Sequence, residues 1–159
     1  MSVVAIIPAR YGSTRLPGKP LAEIAGKPMI QHVYENASKA RVLDRVVVAT
    51  DDRRVVDVVR AFGGEVMLTA AHHLSGTDRL AEVARKLRAD WLVNVQGDLP
   101  FIHAATITQA VVPLQRDRTL PMGTVCTAIV DQKEWRNPNT VKVLMDRSGY
   151  ALYFSRAQS

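Results

Sequence analysis

Residues 6–19 read IIPARYGSTRLPGK, and the fold follows from how this stretch begins and what it runs into. The apolar run at residues 3–7, VVAII, shows no polar alternation, the pattern of a strand buried on both faces of a sheet. Pro8 lacks a backbone donor and predicts the end of strand pairing. Beyond it lies a loop in which Arg10, Arg15 and Lys19 are interleaved with Gly12, Ser13, Thr14 and Gly18. A buried first strand entering a Gly-containing cationic loop is how open α/β sheets present phosphate-binding groups at their carboxyl edge. The spacing is neither a Walker A loop nor G-x-G-x-x-G, so neither mechanism transfers. The residues by themselves imply an anion site suited to a polyphosphate.

Further along, the chain alternates strand and helix patterns. Residues 20–25 read as a short extended piece and Gly26 as a turn. Pro28 suits the first turn of a helix, with Ile30, Val33, Tyr34 and Ala37 on its apolar stripe. Residues 45–50, RVVVAT, predict a second buried strand. Asp51 or Asp52 then caps a helix with Val55, Val58, Val59 and Phe62 inside, ended by Gly63-Gly64. Residues 65–69 form a third strand, and Ser75 with Asp78 has the spacing of a capping box. The stripe Leu80, Val83, Ala84 and Leu87 follows, and residues 91–95, WLVNV, predict another buried strand ending at Gln96-Gly97-Asp98. Strands separated by helices of this length define a Rossmann-like α/β fold: a mostly parallel sheet with helices on both faces. The next helix, with Ile107, Ala110, Val111 and Leu114, contains Pro113, which predicts a kink or an early end. Residues 125–130, 141–145 and 150–154 read as strands without clear helices between them, the last two joined at Ser148-Gly149 into an antiparallel edge. No linker or repeat interrupts residues 1–159, which reads as one domain.

Composition bounds the function. The 159 residues are 47% hydrophobic and 23% charged, ordinary for a globular domain with a real core. No apolar run approaches a membrane span and no secretory signal pattern opens the chain, which makes a cytoplasmic location the default and a membrane partner unexpected. Cys126 is the only cysteine, excluding an internal disulfide, and its apolar neighbours suggest a small core residue. The net charge of +6 is spread along the chain and mixed with acids. Groups such as Asp51-Asp52-Arg53-Arg54 read as solvated helix ends. Without a basic stripe interleaved with aromatics, nucleic acid is not the expected partner. His72-His73 reads as a pair of loop histidines, and Trp91, Met122, Trp135 and Met145 as packing residues.

Asp98 is the second key position. It lies just past a buried strand, at the sheet edge where the cationic loop also emerges. A carboxylate facing a phosphate loop suits a Mg2+–nucleotide complex, because magnesium takes one or two carboxylates together with phosphates and water.

The stretch at residues 6–19 resembles the N-terminal signature of the sugar-activating nucleotidyltransferases, and most closely the 3-deoxy-manno-octulosonate cytidylyltransferase (CMP-KDO synthetase) family. The resemblance continues in order through VATDD (48–52), FGGEV (62–66), HLSGTDRLAEVA (73–84), NVQGD (94–98), NPNTVKV (137–143) and GYALYFSRA (149–157). It implies a nucleotide-diphospho-sugar transferase fold and transfer of CMP from CTP to a 2-keto-3-deoxy sugar acid for lipopolysaccharide synthesis. By the same resemblance Arg10, Lys19 and Asp98 are catalytic. Ala9, Arg10, Arg15, Lys19, Ser75, Gly76, Arg79 and Gln96 bind nucleotide, with Ser75 and Gly76 at the cytosine and Arg79 a surface charge in the alternative reading. Asp98 holds magnesium.

Three features depart from the family pattern: Leu99 where Glu is usual, Pro113 within a helix, and an end at Ser159 where family members continue. The continuation carries a second metal-binding Asp and most acceptor contacts, so weak CTP binding and little turnover are expected of these residues alone. Exposed apolar edge surface favours homo-oligomerisation or self-association. Two alternatives stay open: a non-catalytic paralogue that binds nucleotide or a partner subunit, and a CMP-sialic acid synthetase-like enzyme.

Overall fold

A computed structural model describes residues 1–12, 17–73 and 75–157. They form two compact units, residues 1–123 and 124–159, each described by itself.

The first unit is built on β1 (Val3–Ala9), which runs between β4 (Arg45–Thr50) and β6 (Trp91–Asn94), with β5 (Glu65–Leu68) outside β4. Every pairing in this four-stranded sheet is parallel. Helices α1 (Met29–Ser38), α2 (Arg53–Ala61), α3 (Gly76–Lys86) and α4 (Ala104–Arg116) connect or flank the strands. A two-residue hairpin, β2 (Glu23–Ile24) with β3 (Lys27–Pro28), precedes α1 and turns at Gly26, whose φ of 78° favours glycine.

The period of two along β1 divides the core. Val3, Ala5, Ile7 and Ala9 pack with Ile30 and Val33 of α1, Val55 and Val59 of α2, and Ile107 and Val111 of α4. Val4 and Ile6 pack on the other face with Val83 of α3. Each fully buried valine or isoleucine side chain among these contributes about 1.5–3 kcal/mol. The doubly covered parallel sheet expected from the sequence is present.

Several local expectations need correction. β1 continues through Pro8 to Ala9, where Pro8 stands opposite Ala49. The Val95 amide bonds to the Ile6 carbonyl, so even-numbered residues of β1 turn their polar groups toward β6. Pairing with β6 stops at Ile6, and the N–H that Pro8 lacks is not needed there. β6 is not buried on both faces: it lies at the sheet edge with Leu92 exposed. α4 does not end early, because Pro113 falls in its last turn and both Pro113 and Gln109, whose carbonyl it leaves free, are on the solvent side.

The second unit holds α5 (Gln132–Arg136), which periodicity gave no sign of, and the antiparallel hairpin β7 (Lys142–Met145) and β8 (Ala151–Ser155). Asp131 caps α5 through the Lys133 amide. The hairpin turn forms as expected: Gly149 has φ 86°, and Asp146 Oδ1 accepts from the Ser148 and Tyr150 amides at 2.8 and 2.9 Å. No strand forms over residues 125–130, since their apolar side chains find no sheet to join, and Val130 is 92% exposed. Cys126 is exposed rather than a core residue, its Sγ 3.8 Å from Met145 Sδ. Met122 and Met145 are exposed as well.

Candidate functional site

The strand order supplies the site. From β1 the chain moves outward to β4 and β5, then crosses back to place β6 on the other side of β1. At such a switch point the connections leave the sheet in opposite directions, opening a crevice at the carboxyl ends of the strands. A cleft of about 310 Å³ lies there, lined by residues from the end of β1 (Pro8, Ala9, Arg10), the loop after it (Gly12, Lys19, Pro20), α1 (Met29), α3 (Gly76, Arg79) and the turn after β6 (Gln96, Gly97, Asp98).

Two glycines allow the walls to approach. A Cβ on Gly97 would lie 2.6 Å from the Pro8 carbonyl oxygen, leaving no room for any side chain. A Cβ on Gly76 would lie 3.3 Å from Pro8 Cγ. The turn after β6 and the start of α3 therefore both rest on the end of β1.

Across this cleft Lys19 Nζ donates to Asp98 Oδ2 at 2.8 Å, joining positions 79 residues apart. Their side chains are 39% and 51% exposed, so the pair is screened and open to exchange with ligand groups. Lys19 opens a single 3-10 turn, Lys19–Leu21, whose preceding residue Gly18 has φ 73° and donates its amide to the Tyr11 carbonyl at 2.8 Å. That bond closes the loop at its base. Tyr11 in turn lies under Arg54, whose guanidinium carbon is 3.4 Å from the ring centroid.

Arg10 leaves the end of β1 and donates Nη2 to the His73 carbonyl at 2.6 Å. Ala9 packs its side chain into the core and so faces the cleft through its backbone. Gln96 is exposed and donates to Asn94 Oδ1 at 3.2 Å. Ser75 does not line the cleft. It caps α3, accepting from the Asp78 amide at 3.1 Å, while Asp78 Oδ2 accepts from the Ser75 amide and hydroxyl. The Ser75 hydroxyl holds the Asp78 carboxyl below the ordinary carboxylate range. Arg15 lies outside the described residues.

Arg79 is not a surface charge. It is 1% exposed, with Nη1 donating to the Thr69 hydroxyl and the Ala70 carbonyl and Nη2 to Asp51 Oδ2 at 2.9 Å. Asp51, read from sequence as part of a solvated helix end, is its counter-ion, and Asp52 alone caps α2. Sequence reasoning also passed over Glu82, which accepts from the His73 ring at 2.6 Å, the Ala70 amide at 2.9 Å and Lys86 at 2.8 Å. The His73 bond, followed by those of Lys86 and Ala70, lowers its pKa to about 2. Its i+4 spacing to Lys86 was the available signal.

Asp98 is the one carboxylate among the described lining residues, and no group of three His, Cys, Asp or Glu suited to a metal occurs among the described residues. That donor set fits magnesium arriving with nucleotide phosphates and water, not a cage made of protein alone. No helix among the described residues is long and apolar enough to cross a membrane.

Sheet order, switch-point cleft and the cations at its wall together define an α/β protein with an anion-binding crevice at the carboxyl ends of its strands. Comparison with known proteins narrows the class. The family model for "Cytidylyltransferase" matches residues 4–159, and the chain belongs to that family. It is 58% identical over 157 residues to a 3-deoxy-manno-octulosonate cytidylyltransferase of Syntrophotalea carbinolica, covering 99% of this chain and 63% of that protein. A protein of the same name from Geobacter metallireducens is 57% identical, with 99% and 62% covered. Among solved structures, a CMP:2-keto-3-deoxy-manno-octonic acid synthetase complexed with CTP superposes with a TM-score of 0.96 at 49% identity, over 99% of this chain and 65% of that one. A cytidylyltransferase from Leptospira borgpetersenii superposes with a TM-score of 0.67 at 26% identity, over 74% of this chain and 50% of its own. The chain thus spans somewhat under two thirds of the length of these curated relatives.

Proposed function

We propose that these residues form the CTP-binding part of an enzyme that transfers CMP to 3-deoxy-manno-octulosonate for lipopolysaccharide synthesis. The observation carrying this reading is the meeting of Lys19 and Asp98 across the switch-point cleft, in a chain 58% identical to a protein of that named activity. Both compact units belong to one nucleotidyltransferase domain in this reading, which the family match through residues 4–159 supports. Its substrates are free small molecules, so a cytoplasmic location goes with it.

A hydroxyl oxygen of the sugar acid forms a bond to the α-phosphorus of CTP and gives up its proton to water, the bond from that phosphorus to the bridging oxygen breaks, and pyrophosphate leaves with the electron pair. Catalysis of this type is mainly positioning and charge stabilisation. Arg10, Arg15 and Lys19 neutralise charge on the β- and γ-phosphates. Lys19 exchanges Asp98 for a phosphate oxygen when the nucleotide enters, which frees the carboxylate. Asp98 would then hold magnesium, which supplies charge neutralisation between the phosphates and the carboxylate. Backbone groups of Ala9 and Gly76 face the nucleotide. Ser75 contributes by fixing the start of α3, and Gln96 lies beside the nucleotide or the sugar acid.

A second reading, a nucleotide-binding protein with little turnover, is favoured by Leu99. This side chain is 45% exposed beside Asp98, where the resemblance leads one to expect a carboxylate. Self-association through the hairpin, where Leu144, Tyr150, Leu152, Tyr153 and Phe154 are exposed, fits either reading. Pyrophosphate release from CTP, dependent on the sugar acid, tests between them: sustained release supports the transferase, and CTP binding without release supports the second reading.

A further inference from the structure

Residues 69–73 lead from β5 to α3, and two α3 side chains one turn apart hold them. Arg79 takes the Thr69 hydroxyl and the Ala70 carbonyl, and Asp51 completes its bonding from the end of β4. Glu82 takes the Ala70 amide and the His73 ring. Both backbone polar groups of Ala70 are therefore satisfied by α3 side chains. At the far end of this clamped segment the His73 carbonyl accepts from Arg10 at 2.6 Å.

The consequence falls on Arg10. An exposed arginine at a strand end ordinarily samples many rotamers, and a backbone carbonyl can restrain it only if that carbonyl is itself fixed. Here the His73 backbone is fixed through its own ring, which is anchored on Glu82. We propose that His73, Glu82 and Arg79 are positioning residues for Arg10: they hold the 69–73 segment so that the His73 carbonyl keeps the guanidinium at the cleft before any ligand arrives. Such preorganisation lowers the ordering cost of binding. In this role each acts through Arg10, and Arg79 also lines the cleft itself. The inference rests on the proposed nucleotide site for the identity of the anion, and on the geometry alone for the restraint.

Two readouts on the full chain separate these. First, without ligand, nitrogen-15 NMR of the arginine side chains, with Arg10 assigned by its loss in Arg10→Met, is expected to show slowed guanidinium rotation for Arg10. That slowing is expected to vanish in Glu82→Ala and His73→Ala while core amide shifts stay in place, and to survive in Glu82→Gln, which keeps an acceptor of equal length. Freely rotating Arg10 in the unaltered chain, or slowing unchanged by Glu82→Ala, overturns the inference. Second, in magnesium–CTP titrations Glu82→Ala is expected to weaken affinity about tenfold, and less than twofold in an Arg10→Met background. Equal losses in both backgrounds also overturn it. If the unaltered chain binds no CTP, the nucleotide reading fails and the first readout alone decides the restraint.

Discussion

Lys19 Nζ and Asp98 Oδ2 are 2.8 Å apart, though 79 residues separate them and they arrive on loops from opposite sides of the switch point. The cation follows β1 and the anion follows β6. Because the pair is exposed, it adds little to stability, and Asp98→Asn is expected to change unfolding free energy by under about 1 kcal/mol in urea titrations. The same substitution is expected to weaken magnesium-dependent CTP binding by about tenfold or more, since a charge-assisted contact contributes about 1.5–3 kcal/mol. A stability loss with unchanged affinity would assign the pair a purely structural role.

Arg79 gives the opposite pattern. Its guanidinium is buried against Asp51, and removing one partner of such a pair costs about 3–5 kcal/mol. Arg79→Met is expected to lower stability on that scale, and Arg79→Met with Asp51→Asn to recover part of the loss. Chemical denaturation of the unaltered chain, of Arg79→Met and Asp51→Asn singly, and of the double variant checks this; simple additivity of the two substitutions would count against the ion pair.

Gly97→Ala is expected to separate packing from charge. The new Cβ would meet the Pro8 carbonyl at 2.6 Å, and forcing extra volume into a packed contact costs about 1–3 kcal/mol. The turn must move, carrying Asp98 away from Lys19. Reduced stability together with reduced CTP affinity is expected; wild-type values in both measurements would show that the turn can shift freely.

Glu82 sets an acid-sensitive window. Its folded pKa is lowered to about 2 from the ordinary value of 4.5, chiefly by the His73 ring. Its contribution is therefore complete above about 4.5 and lost as pH falls toward 2. The stability gap between the unaltered chain and Glu82→Gln is expected to be constant above this window and to shrink within it. Urea unfolding at a series of acid pH values measures the gap, and one that widens on acidification would reverse the sign.

Much of the sheet and part of the cleft were legible in the sequence because local pattern and burial agreed. Continuous apolar runs marked β1 and β4, the capping box marked α3, and the position of Asp98 after a strand brought it to the cationic loop. Other features depended on contacts between distant residues. Nothing near Asp51 or Arg79 signals that they meet in the interior, since either residue on a helix end is ordinarily solvated. β6 was read as doubly buried because WLVNV is mostly apolar, but burial is set by its place at the sheet edge. Residues 125–130 have strand propensity and no partner strand, and propensity alone does not form a sheet.

The most direct test of the nucleotide site is calorimetric titration of the folded chain with CTP, with and without magnesium, against ATP. Magnesium-dependent binding is expected, with CTP favoured over ATP by about tenfold, or about 1.4 kcal/mol, and weakened by about tenfold or more in both Asp98→Ala and Arg10→Ala. A folded chain that binds neither nucleotide, or binds both equally and is unaffected by Asp98→Ala, would contradict the account.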